Sequence, residues 1–437
     1  MTRSAKLLLA LALAAVAIPG VSFAQQAQAP EPKDNKWTKD ATKFMTVAGL
    51  KQKPEEQAPL YQQALASLQQ GMVKEPQNAK LYLLAGEIYA NMEQFAQADS
   101  ALKKAQDLYA PYAPEIEGAR EQAWLKAFQK GTSALDRNQP DSAVAYMKAA
   151  ESIYSARPEA QLNLGVIYLN ANKPDEALAA FKLAKERLNG PLTAKLKPED
   201  QAQWKTWDQL IDVTTAQVEG NKGIEFFQKE QFDSAGAQFQ KALQINPRGR
   251  DYAYNYAESI FARIGKLEEQ RRTLVAAKPP KPADIKKLDD QLAPLYQQLI
   301  DGAQKVLPFD PANTDSYIMI ARSYKGEADA AADPKEKQAL QNKALEALTT
   351  AQKLPFEVTD VTASFGETSK LSGKIKNHTL KPGEPAKIKV SFMALDGSTL
   401  GSADVSVAAG AADSTVPFEA SAPTKGQVAG WKYEMVQ

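Results

Sequence analysis

Few side chains in this sequence could do chemistry. His378 is the only histidine among 437 residues, and there is no cysteine. A zinc site would need carboxylates almost alone, and a Ser-His-Asp triad would have to take its base from a turn at the end of a strand, so His378 reads as a solvated loop residue. Neither a G-x-S-x-G elbow nor a G-x-x-x-x-G-K phosphate loop occurs, and with them go the commonest hydrolase and nucleotide signatures. The acidic stretch holding Glu327, Asp329 and Asp333 invites calcium. Counted from Asp329, however, Pro334 and Leu340 stand where an EF-hand loop needs glycine and glutamate. The pairs Glu268 with Glu269 and Asp289 with Asp290 fall on helical segments, where adjacent positions diverge, so they read as solvated surface rather than a glycosidase pair. Asn377-His378-Thr379 spells a glycosylation acceptor, a pattern too short to carry weight. The chain is therefore read as a non-enzyme, with no catalytic residue, no metal site and no cofactor.

Charge excludes another class. The formal net charge is +1, from 53 basic and 52 acidic residues, and basic runs such as PPKPADIKK at 279–287 are balanced at once by Asp289 and Asp290. No stripe could follow a phosphate backbone, so no nucleic acid is expected. The opening places Arg3 and Lys6 before an apolar run from Leu7 to Ile18, then small residues Ser22 and Ala24. This is the pattern of a cleavable secretory signal peptide over 1–24, cut after Ala24, and its apolar run is shorter than the roughly 20 residues a membrane span needs. With the leader removed, no transmembrane segment remains, and the expected location is secreted or periplasmic, in a bacterium. A linker is expected over 25–40.

The positioning elements show themselves as an internal repeat. From Pro158, Leu164, Gly165, Tyr168, Ala177, Phe181 and Ala184 recur at the same offsets as Ala85, Gly86, Tyr89, Ala98, Leu102 and Ala105 from Ala79. A third unit, from Ala216, has Gly223, Phe226, Ala235, Phe239, Ala242 and Pro247. A fourth, from Arg250, has Asn255, Tyr256, Ala257, Ile260 and Ala276, with Glu269 where a small residue belongs, so its helix pair is expected to be splayed. Weaker units lie around Gly131, Ala143 and Ala150, before Pro76 through Ala64 and Leu68, and around Ala321, Tyr324, Ala344 and Ala351. Starts near 79, 124, 158, 216 and 250 are irregularly spaced, which implies inserted helix or loop. Proline-rich breaks at 190–201 and 276–284 read either as bends or as plain connections.

Small residues such as Gly165 and Ala177 let two helix backbones approach, Tyr168 and Phe181 wedge between them, and Pro174 suits the first turn of a second helix. The pattern resembles the tetratricopeptide repeat (TPR). That resemblance implies a right-handed α-helical solenoid over 41–355, with six to eight helix pairs stacked because no pair can bury its apolar face alone. It also implies where a partner would lie, on the first helix of each pair at the second, fifth, ninth, twelfth and thirteenth positions. In the two clearest units these are Lys80, Leu83, Glu87, Ala90 and Asn91, then Glu159, Leu162, Val166, Leu169 and Asn170. The lysine and asparagine by which some such grooves clamp a terminal carboxylate are absent, since Leu83 and Glu87, or Leu162 and Val166, stand in their places.

After LPFEVTD the apolar period drops to two, the mark of strands. Ile388, Val390, Phe392 and Ala394 alternate with Lys387, Lys389, Ser391 and Met393. Ala403, Val405 and Val407 repeat the rhythm, and Trp431, Tyr433 and Met435 share a face. Turns at Asp396-Gly397 and KPGEP separate six or seven strands, which predicts a small antiparallel β-sandwich over 356–437. Gly373, Asn377, Phe392 and Asp396 resemble the bacterial immunoglobulin-like domain named for a Phe-x-Leu-Tyr-Asp motif, with Ala394 and Leu395 in place of its leucine and tyrosine. The functional expectation is an exported scaffold of the cell envelope that binds protein or peptide partners through its repeats, the sandwich adding a second contact surface. The alternative from another class is a carbohydrate- or cell-wall-binding protein whose exposed aromatic rings stack on sugars.

Overall fold

A computed structural model describes residues 32–279 and 281–436; the expected leader at 1–24 and the start of the expected linker lie outside them. Fourteen α-helices are followed by six β-strands among the described residues. The chain divides into two compact units between Lys205 and Thr206.

In the first unit, α1 (Lys36–Gly49) pairs with α2 (Pro54–Lys74), α3 (Ala79–Asn91) with α4 (Phe95–Leu108), α5 (Ala113–Asp136) with α6 (Pro140–Ile153), and α7 (Glu159–Asn170) with α8 (Pro174–Leu188). Residues 36–40, placed in a linker by sequence, are helical. Asn35 accepts from the Thr38 amide and the Thr38 hydroxyl accepts from the Asn35 amide, each at 2.9 Å, a reciprocal cap that starts α1 earlier than its apolar pattern does. The helix α9 (Pro198–Gln228) contains the division between units. The second unit holds α10 (Phe232–Ile245), then the hairpin of α11 (Arg250–Ala276) and α12 (Pro282–Gln304), then that of α13 (Thr314–Ala330) and α14 (Pro334–Lys353).

One closure recurs in four hairpins. Glu93, Asn138, Asn172 and Glu230 each adopt a left-handed backbone conformation, with φ from 55° to 62°. The following residue then donates its amide to a carbonyl five residues back: Gln94 to Tyr89, Gln139 to Ala134, Lys173 to Tyr168, Gln231 to Phe226. These bonds satisfy carbonyls the first helix leaves open and reverse the chain at once. Proline at the first position of α6 and α8 opens the second helix without losing a bond. The expected interlock is present as well: a Cβ on Gly165 would run into the Phe181 ring, and one on Gly223 would lie 2.7 Å from Phe239.

The fourth repeat departs from the sequence reading. Glu269 lies inside the 27-residue α11 rather than in a second helix, because no turn residue interrupts the helix-forming run after Gly265 and the chain reverses only beyond Ala276. The long α11 and α12 instead bury Ile260, Ile264, Leu267, Leu292, Tyr296 and Leu299 against Met319 and Ile320 of α13.

The strands are β1 (Phe356–Ser364), β2 (Thr368–Asn377), β3 (Pro385–Met393), β4 (Thr399–Ala408), β5 (Thr415–Pro423) and β6 (Gly430–Met435). They form two antiparallel sheets, in orders β1-β2-β5 and β4-β3-β6. Val390 lies opposite both Ala403 and Tyr433, and Phe392 opposite both Gly401 and Trp431. The core takes Leu371, Ile375, Ile388, Val390, Phe392, Phe418, Trp431 and Tyr433, as the alternation requires. Met435, expected on the same inward face, is 38 % exposed because it ends the last strand at the rim. Asn377 is buried, its amide donating to the Leu380 and Gly410 carbonyls at 2.8 and 2.9 Å, which leaves no acceptor for a glycan.

Within the second unit the sandwich is fastened to the helices by a buried polar cluster. Asp310, in the turn before α13, has no exposed surface. It accepts from Arg250 at 2.5 Å, from the Tyr433 hydroxyl at 2.6 Å and from Asn313 at 3.1 Å. The same hydroxyl accepts from the Ala312 amide at 3.1 Å, while the Tyr433 amide donates to the Phe309 carbonyl at 3.0 Å and so covers part of the β6 edge. In the turn before α11, buried Asn246 donates to the Ala429 carbonyl at 2.7 Å. Gly430 lies so close to the Arg248 carbonyl that a side chain there would collide with it.

Gly165→Ala is expected to destabilise the first unit by about 1–3 kcal/mol through the Phe181 clash. Gly118→Ala, inside α5 with no neighbour in reach, is expected to stabilise it by about 0.5–1 kcal/mol through helix propensity. Urea unfolding of both variants checks the pair, and equal effects would contradict the interlock.

Candidate functional site

The face built from the first helices is the place to look for a partner, and each unit carries its own. In the first unit α3 packs beside α5. Of the residues carried over from the repeat pattern, Lys80 is half-buried and pairs with Asp34 at 2.9 Å, and exposed Asn91 accepts from Lys126 at 2.9 Å. Leu83 is only 7 % exposed: it packs with Ala79, Leu102, Tyr112 and Ile116. Ala79 and Leu102 belong to its own hairpin, whereas Tyr112 and Ile116 come from the segment inserted between the second and third units, the turn before α5 and the first turn of α5, so Leu83 is core and not contact surface. Leu162 is likewise inside, at 6 %, because α7 is enclosed on all sides from Glu159 to Gly165. Val166 and Leu169 are half-buried and Asn170 is exposed. The lower turn of α7 is held by Arg157, which pairs with Glu159 at 2.6 Å and Glu121 at 3.1 Å and stacks over the Trp124 ring at 4.7 Å.

Glu87, also half-buried, has a carboxyl pushed above its usual range by burial. Among the described residues no lysine or arginine is paired with it.

The second unit carries a face that the sequence reading left out. The same offsets, applied to the repeats beginning at Arg250 and Thr314, give Asp251, Tyr254, Glu258, Phe261 and Ala262 on α11 and Asp315, Ile318, Arg322, Lys325 and Gly326 on α13; this signal was available in the spacing. Two rungs join the helices. The Tyr254 hydroxyl donates to Asp315 at 3.0 Å, and Arg322 stacks on Phe261 at 4.7 Å while donating to Glu268 at 2.6 Å. Between the rungs lie Glu258, half-buried, and Ile318, 42 % exposed. Burial, and then the neighbouring Asp315, push the Glu258 carboxyl up. The Tyr254 phenol is raised by the same causes. Arg250 ties this face to the buried cluster by stacking over the Tyr254 ring at 4.9 Å. Burial works against its charge, and Asp310 and Asp251 outweigh that cost and hold the guanidinium above its ordinary range.

Four of the carboxylates that could have served chemistry are engaged elsewhere. Asp329 pairs with Lys325 at 2.6 Å, and Asp333 caps α14 through the Lys335 amide at 3.0 Å. Asp289 pairs with Arg271 at 2.5 Å, and Asp290 with Lys286 at 3.3 Å. Among the described residues no group of three or more histidine, cysteine, aspartate or glutamate side chains could hold a metal ion, and no helix is long and apolar enough to cross a membrane.

Comparison with known proteins classes two stretches of the chain. Residues 79–112 and 128–190 each match a family model for the tetratricopeptide repeat, so these stretches are tetratricopeptide repeats, a module that mediates contacts between proteins. Over 97 residues the chain is 32 % identical to the protein STIP1 homolog of Dictyostelium discoideum, a match covering 22 % of this chain and 17 % of that protein. Among solved structures, MamA is similar at 15 % identity and a TM-score of 0.22, over 51 % of this chain and 91 % of that one. The C-terminal part of a TPR repeat-containing protein from Cytophaga hutchinsonii is similar at 13 % and 0.22, over 72 % and 98 %. YrrB, described as a TPR protein with an unusual peptide-binding site, is similar at 20 % and 0.18, over 49 % and 93 %.

Because the pKa of Glu258 in the fold lies above its unfolded value, its charge costs stability at neutral pH, and that cost vanishes as the pH falls below the ordinary carboxylate range. Glu258→Gln is therefore expected to raise the thermal midpoint near about pH 7 and to change it little near about pH 4. A lowered midpoint at neutral pH would show that the carboxylate has a stabilising partner.

Proposed function

We propose that this chain is a non-catalytic adaptor, exported into or beyond the bacterial envelope, that holds protein or peptide partners on the first-helix faces of its repeats, with the β-sandwich as a second contact surface. The observation that carries the reading is the face shared by α11 and α13. It combines aromatic rings, an exposed isoleucine and two carboxylates outside any ion pair, on helices of a chain whose residues 79–112 and 128–190 match a repeat that mediates protein contacts. Apolar anchors in a polar frame are what a bound helix or extended peptide requires. In the first unit Val166, Leu169 and Asn170 offer a smaller surface of the same kind. Export rests on the leader pattern of the first 24 residues.

Photocrosslinking in living cells tests the reading. A photoreactive residue at Ile318 or Val166 is expected to capture protein, and one at Lys182, exposed on the second helix of its hairpin, is not. Capture from neither Ile318 nor Val166 would contradict it, and loss of capture together with retention on purified cell wall would favour the wall-binding alternative.

A further inference from the structure

We infer that the α11–α13 face selects partners that present a lysine or arginine, whose cationic head lies between Glu258 and Asp315 while its methylene stem rests on Tyr254 and Ile318. This specifies the partner chemistry of the site just proposed and rests on that reading.

The inference follows from how charges on the face are allotted. Arg250 is committed to Asp310 and Asp251, at 2.5 and 3.2 Å. Arg322 is committed to Glu268 and to the Phe261 ring. Neither forms an ion pair with Glu258 or Asp315; among the described residues the one lysine whose charge interacts with Asp315, Lys376 on β2, is itself paired with Glu357 at 3.0 Å. Asp315 has only the Tyr254 hydroxyl. Glu258 is half-buried beside it.

A carboxylate withdrawn from water without a partner costs free energy, and two that repel each other cost more. Glu258 is in that position, half-buried beside Asp315, and burial and then Asp315 push its carboxyl up. A cation delivered by a partner recovers it. Tyr254 and Ile318 supply apolar surface beside the carboxylates, which suits the amphipathic lysine or arginine side chain better than a bare ion. An acidic segment would meet like charge and be rejected, so one arrangement supplies both attraction and selectivity. Holding the Glu258 carboxylate ready lowers stability in the free protein, a usual cost of a functional site.

The probes are two fluorescein-labelled peptides of equal length, one alternating leucine with lysine and the other leucine with glutamate, titrated against the full chain by fluorescence anisotropy. The lysine peptide is expected to bind more tightly than the glutamate peptide. The Glu258→Gln/Asp315→Asn double variant is expected to weaken it by at least about tenfold and to narrow the difference between the two peptides. Circular dichroism checks the fold of the double variant, and Asp315→Asn alone, at an exposed position, serves if that variant does not fold. Equal binding of the lysine peptide by the wild type and the double variant overturns the inference. If Ile318→Ser still weakens that peptide, docking on this face stands and only charge selection fails; if Ile318→Ser also has no effect, the face itself is wrong. Absence of binding by both peptides overturns charge selection and leaves docking to be judged by crosslinking from Ile318.

Discussion

The second unit depends on one fully buried carboxylate. Asp310 gathers Arg250 from the start of α11, Asn313 from the turn that leads into α13, and the hydroxyl of Tyr433 from β6. Burying a charge is costly, and a pair inside a protein returns that cost only with good geometry and every remaining lone pair satisfied. Here the donors come from three directions, so the arrangement forms only when both helices and the last strand are in place. The proposed binding face inherits its geometry from this point: the residue that neutralises Asp310 is the one that stacks on Tyr254. Thus the sandwich is more than an appended module. Through Tyr433 it helps fix the two first helices on which a partner would sit.

The hairpins themselves obey a simpler constraint, that two helices must approach closely and then reverse in few residues. This much was readable in the sequence, because the glycine that faces Phe181 or Phe239 and the proline that opens a second helix are local and recur at fixed offsets. The alternation that builds β3 was equally plain. Insertions were not readable in their effect. Tyr112 and Ile116, from the inserted segment at the start of α5, lie outside the repeat that holds Leu83 yet complete its burial, and α7 is enclosed by neighbours that no periodicity within α7 reports. Glu269 shows the same limit, since the repeat spacing placed a turn where the local sequence keeps a helix going. The Asp310 cluster joins residues 60 and 123 positions apart, and no pattern within a window of one repeat could have assembled it.

Stability and recognition pull against each other on the first-helix faces. Glu87 and Glu258 are both withdrawn from water without a countercharge, whereas the buried charges that hold the fold, Arg157 and Asp310, are each paired more than once. The contrast separates side chains that serve the fold from side chains left free to meet something else.

Native-state hydrogen exchange on the full chain tests most directly whether the sandwich holds the binding face. With the clamp intact, the amides of Trp431 and Tyr433 should open together with those of α13, with one free energy and one denaturant dependence. Tyr433→Phe should lower both by the same amount, about 1–3 kcal/mol. Exchange of β6 through a separate, cheaper opening, with α13 unaffected by Tyr433→Phe, would contradict it.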